Sequence, residues 1–328
     1  MCGFVGVINY TKDISSSINL IKKMNKKISK RGPDNEGYYI EENVLFGHKR
    51  LAIIDIENGI QPMSFIYNEC KYTIIYNGQI YNSRELRKEL KELGITFSTH
   101  SDTEVLLKGY VFWGKSILNK LNGIFSFAIW DSKKEELFAA RDHMGIKPFY
   151  YTNKNNNFIF SSEIKGILAH NEVETVVDKM GFQELIGIGP AHTPGYTVFK
   201  NIFELKPAHS LIYNKNGTYI EKYWYLKSTA HTDDFETTCE NIKYLLKDSI
   251  ERQMVSDVPI GTMLSGGLDS SIISYYASKY FKKNNLKELN TFSVTYKDNE
   301  KNFVKSDFQP NSDEHYIDVM VKALRFKS

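Results

Sequence analysis

Apolar and polar positions change rhythm once along the chain. Over the first 220 residues, short runs rich in β-branched and aromatic residues dominate. They predict strands at 2–10, 72–76, 124–131, 136–141, 149–152, 158–161 and 209–214. Helical spacing appears between them. Residues 15–30 place Ile18, Ile21, Met24 and Ile28 on one face with lysines opposite. Residues 83–93 start on a serine, space Leu86, Leu90 and Leu93 along one side, and stop at Gly94. A third helix opens at Ser101-Asp102-Thr103-Glu104, which has the S-x-x-E form of a capping box. Many short strands with helices among them predict an α+β, sheet-on-sheet domain.

The polar stretch 227–234 interrupts this pattern and reads as a linker. Beyond it the order is helix 236–253, strand 258–264, glycine turn, helix 270–282 and strand 290–296. That is a β-turn-α-β unit, the start of a parallel doubly wound sheet. Residues 299–309 are polar and predict a loop; 316–328 read as a helix with no strand after it.

Bulk properties narrow the function classes. The 328 residues suit about two domains. The net charge of +3 comes from 42 basic and 39 acidic residues that are well mixed, which argues against nucleic acid or an anionic membrane as partner. No apolar run approaches the roughly 18 residues of a membrane helix, and the first twenty residues lack a signal-peptide layout. The expected location is the cytoplasm. Cys2, Cys70 and Cys239 are odd in number and far apart, which excludes a disulfide framework or zinc ribbon and leaves Cys70 and Cys239 as ordinary thiols.

Between the strand at 258–264 and the next helix lies Gly261-Thr-Met-Leu-Ser-Gly-Gly-Leu-Asp-Ser-Ser271. Two adjacent glycines let the backbone turn its N–H groups toward an anion; Ser265, Ser270 and Ser271 add hydroxyls, and the helix start adds a positive dipole end. No Gly-Lys-Ser/Thr follows, so this is not a Walker A loop. The structural alternative is a plain turn with Asp269 capping the helix. SGGLDSS resembles the pyrophosphate-binding loop of the ATP pyrophosphatase superfamily, whose members cleave ATP between the α- and β-phosphates. The resemblance implies ATP contacts at Leu264, Ser265, Gly266, Gly267, Asp269, Ser270 and Val294. It also implies Mg²⁺ to neutralise the phosphates; which residues would hold a metal is not legible.

The other candidate chemistry sits at the first residues, MCGFVGV. An N-terminal cysteine carries its own base. With a thiol pKa near ~8.5 and an α-amino pKa near ~7.7–8.0, the neutral amine can take the thiol proton once Met1 is removed. RGPD (31–34), HKRLAIID (48–55), YNGQIYN (76–82) and SDTE (101–104) follow in this order. Together with MCGFVGV they resemble the glutaminase domain of class II glutamine amidotransferases, which are N-terminal nucleophile hydrolases. The resemblance makes Cys2 the nucleophile. Asn77 and Gly78, read as a turn, would converge an amide and a backbone N–H on an oxyanion. Arg50 would grip the glutamine carboxylate, and Asp102 its ammonium group. Each has a structural alternative: Asn77-Gly78 a hairpin turn, Asp102 or Ser101 a helix cap, Arg50 a surface ion pair. Asp34 and His48 are read as fold-supporting partners.

A glutaminase domain followed by an SGGLDSS domain resembles the glutamine-hydrolysing asparagine synthetase family. The likeness extends through FSFAIWD (125–131), RDHMGIKPFYY (141–151), SSEIKGIL (161–168) and SDEHYI (312–317). It implies an αββα N-terminal nucleophile hydrolase sandwich at 1–210, then the first part of a doubly wound α/β synthetase domain at 211–328. It further implies glutamine, aspartate and ATP as small-molecule partners, formation of β-aspartyl-AMP and pyrophosphate, amidation by ammonia passed inward through the protein, and the homodimer common in the family. Family members continue past residue 328 and carry a second Ser-Gly-Glu-Gly phosphate segment. The synthetase domain is therefore expected to be incomplete, and the chain to hydrolyse glutamine without making asparagine. Alternatives are an amidotransferase acting on another carboxylate, as in β-lactam synthetase-like enzymes, and a non-catalytic remnant.

Overall fold

Strands that are apolar on both faces must be covered twice, and the computed structural model shows how. It describes residues 1–189, 191–307 and 311–324, in two compact units, Met1–Ser228 and Thr229–Ser328.

In chain order the first unit contains β1 (Gly3–Asn9), α1 (Ile18–Lys27), β2 (Asn35–Glu41), β3 (Val44–Arg50), β4 (Met63–Tyr67), β5 (Cys70–Ile80), α2 (Ser83–Glu92) and α3 (Asp102–Trp113). There follow β6 (Gly123–Asp131), β7 (Glu136–Arg141), β8 (Tyr150–Lys154), β9 (Asn157–Ser161), α4 (Ile164–Ile167), α5 (Lys179–Gly187), β10 (Phe203–Glu204), β11 (His209–Asn214) and β12 (Gly217–Lys222). Two antiparallel six-stranded sheets form, in the orders β10-β8-β9-β1-β3-β2 and β12-β11-β7-β6-β5-β4.

The two-residue side-chain period sorts the core into layers. Phe4, Ile8, Phe46, Ile75, Trp130 and Phe160 fill the space between the sheets. Val5, Val7 and Leu45 turn outward against Ile21 and Met24 of α1. Ile74, Tyr76, Ile80 and Phe127 turn the other way, against Leu86 and Leu90 of α2 and Val105 and Leu106 of α3. This is the αββα sandwich. Gly6 explains its own place: a Cβ there would lie 2.2 Å from Phe160 Cζ, in a ring that stacks on Phe149 at 5.4 Å.

Several expectations are corrected. A boundary at 210 would cut β11 in half; β11 and β12 complete the second sheet, and the unit runs to Ser228, inside the stretch read as a linker. Strands β2, β3 and β4 were not anticipated; β2 and β4 lie at sheet edges and are largely exposed or half-buried. The S-x-x-E box is half formed. Ser101 Oγ accepts from Glu104 N–H at 3.3 Å, but the Glu104 carboxylate turns to the Ser98 and Thr99 amides (2.9 and 2.7 Å) and to Lys108 Nζ (2.6 Å).

The second unit holds α6 (Phe235–Arg252), β13 (Gly261–Met263), α7 (Leu268–Lys283), β14 (Asn290–Phe292), α8 (Asn299–Asn302) and α9 (Asp313–Leu324). Strands β13 and β14 pair in parallel, with Thr262 opposite Thr291, and α7 is the crossover between them. Leu264, Ala277 and Leu289 form the core, with Met254, Phe281, Ile317, Met320 and Leu324 packed on it. Both strands are shorter than expected. Part of the loop expected at 299–309 is helical, and its last two residues, like the last four of the helix expected at 316–328, lie outside the described residues.

Phe160 is fully buried where β9 faces the opposite sheet. Phe160→Ala is expected to lower the unfolding free energy by about 3–5 kcal/mol, measured by chemical denaturation of the chain.

Candidate active site

Strand β5 outlasts its neighbour on one side. It pairs with β6 along its length, down to Ile80 opposite Gly123, whereas β4 stops at Met63 opposite Ile74. From Tyr76 onward one edge of β5 has no strand beside it, and its backbone groups must find other partners. Tyr76 N–H donates to Gln61 Oε1 at 2.7 Å, and Ile80 N–H donates to Asp102 Oδ2 at 2.9 Å. The Tyr76 carbonyl accepts from His48 Nε2 at 3.0 Å across the sandwich. Alternation puts the Gly78 N–H on the same edge, between those of Tyr76 and Ile80.

Asn77 and Gly78 therefore lie inside a strand, opposite Ser126 and Phe125, and not in the turn expected of an Asn-Gly pair. Long-range pairing with β6 overrides the local turn preference. Gly78 is required there for space, since a Cβ would lie 2.3 Å from Ile124 O and 2.7 Å from Tyr76 Cε2.

A pocket of about 100 Å³ opens on this edge. Cys2, Arg50, Gln61, Tyr76, Asn77 and Gly78 line it, together with Asp102 and Lys147. The Cys2 thiol is half-buried; Leu51 N–H donates to Sγ at 3.4 Å, and the thiol faces Leu51 O at 3.5 Å. Burial pushes the thiol pKa up, opposed by the Leu51 amide, the chain-terminal ammonium and Arg50. Burial likewise lowers the terminal amine, and Arg31 and Lys147 add to that. Asn77 points between the sheets. Turned so that each end meets a complementary partner, its amide donates to Cys2 O at 3.1 Å and accepts from Arg31 Nη2 at 3.3 Å. Arg31 Nε donates to the same Cys2 carbonyl at 2.8 Å.

Arg50 is buried at the end of β3, and the ion pair considered for it is not what holds it. Its Nη atoms donate to Ile54 O (3.2 Å), Asp55 O (2.6 Å) and Ile56 O (2.7 Å). Three of the five guanidinium N–H groups thus shape the loop after β3. Gly59 makes this approach possible, because a Cβ there would lie 2.5 Å from Arg50 Nη2. Asp34 holds the start of the loop through Ala52 N–H at 2.8 Å, and Asp55 ties it to the loop before α3 by accepting His100 N–H at 2.6 Å.

Asp102 is the first residue of α3 while Ser101 caps it, so the carboxylate is left for other work. Burial pushes the Asp102 pKa up; the Ile80 N–H, the Tyr76 hydroxyl and the first-turn amides pull against this. Both the Tyr76 and Ile80 bonds use Oδ2. Arg87 of α2 fixes the approach to the helix through Thr99 O and Ser101 O, each at 2.9 Å.

The pocket brings together Cys2 from just before β1 and Arg50, Asn77, Gly78 and Asp102 from β3, β5 and α3. Sequence reasoning did not single out Gln61, Tyr76, Arg31 or Lys147. The last three lie within stretches already quoted, but nothing local marks Gln61, which substitutes for a missing strand 15 residues further on.

In the second unit, the loop between β13 and α7 holds Gly266 at φ +80°, and a Cβ there would lie 2.7 Å from Asp313 O. Ser270 Oγ accepts from Ser265 N–H at 3.2 Å and donates to Gly267 O at 3.0 Å. Gly267 is the N-cap of α7 and offers no side chain to its first-turn amides, while Asp269 sits in the first turn and is not the cap. Leu264 is buried in the core and Val294 is 70% exposed. Among the described residues no three His, Cys, Asp or Glu side chains gather to hold a metal. No helix of the described residues is long and apolar enough to cross a membrane.

Comparison with known proteins adds the following. Residues 1–224 match the family described as glutamine amidotransferase domain, and residues 241–327 that described as asparagine synthase. The relative named asparagine synthetase (glutamine-hydrolyzing) 3 of Bacillus subtilis is 48% identical over 323 residues, 98% of this chain and 53% of its own length. Asparagine synthetase B (glutamine-hydrolyzing) of Escherichia coli is 32% identical over 285 residues, covering 85% of this chain and 45% of its own length. The chain spans about half the length of the curated relatives it matches. Among solved structures, the glutamine phosphoribosylpyrophosphate amidotransferase of B. subtilis shares the fold, with a TM-score of 0.52 at 17% identity over 93% of this chain and 69% of that one.

His48 carries a testable consequence. Burial lowers its pKa from 6.5 to about 4. Between those values the unfolded chain binds a proton that the folded one refuses, so stability is present above pH 6.5 and lost as the pH falls toward 4. From pH 7 to pH 5 the loss from this group is about 2 kcal/mol. His48→Gln is expected to flatten that part of the stability–pH curve, measured by urea denaturation at each pH.

Proposed function

Since the chain belongs to the glutamine amidotransferase domain family through residues 1–224, we propose that the Cys2 pocket hydrolyses glutamine to glutamate and ammonia. One observation carries this reading: a thiol, two oxyanion donors and a pair of opposite charges share one small pocket. A free α-amino acid with a side-chain amide presents the matching groups.

In this reading Met1 is removed and the Cys2 amine becomes the base. A free α-amine has a pKa of about 7.7–8.0, so a neutral fraction with a lone pair for the thiol proton is present at neutral pH. Sγ attacks the carboxamide carbon, and the oxygen of the tetrahedral intermediate takes hydrogen bonds from the Asn77 amide and the Gly78 N–H. The C–N bond breaks, the amine returns its proton to the leaving nitrogen, and ammonia departs. Water then hydrolyses the thioester. Arg50 offers a guanidinium N–H not used by the loop to the α-carboxylate, and Asp102 offers its carboxylate to the α-ammonium.

For the second unit we propose ATP-dependent amidation of aspartate. The aspartate side-chain carboxylate attacks the α-phosphorus of ATP, giving β-aspartyl-AMP and pyrophosphate, and ammonia displaces AMP to give asparagine. Ser265, Gly266, Gly267 and Ser270, with the uncapped start of α7, suit the phosphates. Leu264 and Val294 are assigned to the nucleotide on family likeness, Leu264 through its backbone, since its side chain lies in the core. Mg²⁺ would neutralise the phosphates, with Asp269 the carboxylate on the loop, which suits an ion held mainly by phosphate oxygens and water. The proposed setting is the cytoplasm and the proposed assembly a homodimer. A second reading is glutamine hydrolysis alone, carried by the first unit, whose residues 1–224 match the glutamine amidotransferase domain family.

Cys2→Ala is expected to abolish glutamate release from glutamine, followed by coupled glutamate oxidation; retained hydrolysis would mean another nucleophile. Supplying the 328-residue chain with glutamine, aspartate, ATP and Mg²⁺ separates the two readings. Asparagine and AMP in equal amounts support the synthetase; glutamate without asparagine supports hydrolysis alone.

A further inference from the structure

The Tyr76 hydroxyl has one hydrogen-bond acceptor, and that acceptor is the carboxylate proposed to hold the substrate ammonium. Tyr76 is fully buried on the α3 side of β5, and its hydroxyl donates to Asp102 Oδ2 at 2.9 Å. Ile80 N–H reaches the same oxygen at 2.9 Å, from the same edge of the strand. Two donors on Oδ2, with the first-turn amides of α3 also bonding to the carboxylate, fix its rotation. The ring reaches Asp102 because Gly78 has no side chain: a Cβ there would meet Tyr76 Cε2 at 2.7 Å. The glycine that supplies the oxyanion N–H thus also clears the path of the tyrosine. Burial and the facing carboxylate push the phenol pKa well above its ordinary value, so the hydroxyl remains a donor.

We propose that Tyr76 is a positioning residue that aims the Asp102 carboxylate and so makes the pocket select substrates bearing an α-ammonium group. The assignment rests on the glutamine reading given above and adds to it the group that enforces the amino-acid requirement. Asp102 receives the Tyr76 and Ile80 donors from β5 and its own first-turn amides from α3, and it faces the charges of Cys2 just before β1 and Arg87 on α2. Of the hydrogen-bond donors to Asp102, only the tyrosine hydroxyl can be removed by one side-chain atom without touching the backbone.

The test compares glutamine with glutaramate, the same molecule without its amino group. In Tyr76→Phe, kcat/KM for glutamine is expected to fall about tenfold, mainly through KM, as for loss of one charge-assisted hydrogen bond. For glutaramate it should stay within about twofold, because that substrate has no ammonium to place. In an Asp102→Asn background, adding Tyr76→Phe should change glutamine turnover little further, since the tyrosine then has no carboxylate to aim. An equal fall for both substrates, or a further tenfold fall in the Asp102→Asn background, would overturn the assignment. The unsubstituted chain judges the underlying reading separately. If it does not hydrolyse glutamine, both fail; if it does and Tyr76→Phe leaves the glutamine-to-glutaramate ratio unchanged, only the role of Tyr76 fails.

Discussion

Everything at the Cys2 pocket depends on a stretch of strand with a partner on one side only. Beyond Ile74, β5 keeps its bonds to β6 but has lost β4. An unpaired edge inside a protein is costly unless each N–H and C=O finds a partner. Here His48, Gln61 and Asp102 supply them, from β3, from the residue pair before β4, and from the start of α3. The three side chains do the work of a missing strand. Between the two N–H groups they satisfy lies that of Gly78, on an edge that opens into a pocket.

The same strand distributes chemistry to its two faces. Asn77 faces the opposite sheet, where the Cys2 carbonyl and Arg31 hold it, so the thiol and the amide are brought together by the packing of one sheet on the other. Tyr76 and Gly78 face the helices, where α3 begins. A register slip of one residue would exchange these faces and separate the groups. The buried aromatic layer between the sheets, built on Phe4, Phe46 and Phe160, is what prevents that slip. Arg50 shows how tightly scaffold and site are joined, because most of its donors shape the loop after β3 and only the remainder faces the pocket.

The second unit uses a different device. A parallel strand pair leads into a glycine turn, and α7 starts on a residue with no side chain, so no N-cap side chain meets its first amides. Ser265 and Ser270 brace the loop from within. Gly266 is needed twice, for its positive φ and for the closeness of the α9 backbone at Asp313.

The sequence by itself marked the candidate residues: a cysteine at position 2, the Asn77-Gly78 pair, Arg50, Asp102 and the SGGLDSS loop. These were legible because reactive groups and phosphate turns are written in short contiguous stretches. Central strands such as β1, β6 and β9 were legible too, as runs of apolar residues, whereas β3 was hidden by the Gly-His-Lys-Arg that ends it and the edge strands β2 and β4 by their exposed positions. Only the tertiary structure decided that Asn77-Gly78 is strand and not turn, because pairing with β6 outweighs local preference. It also decided that Glu104 leaves the capping box for Ser98 and Thr99, and that the first unit keeps β11 and β12. Gln61, His48 and Asp102 acquire their roles for one reason: each answers a backbone group of β5 left bare by where another strand ends. That bare edge is a property of the assembled sheet, and no window of sequence contains it.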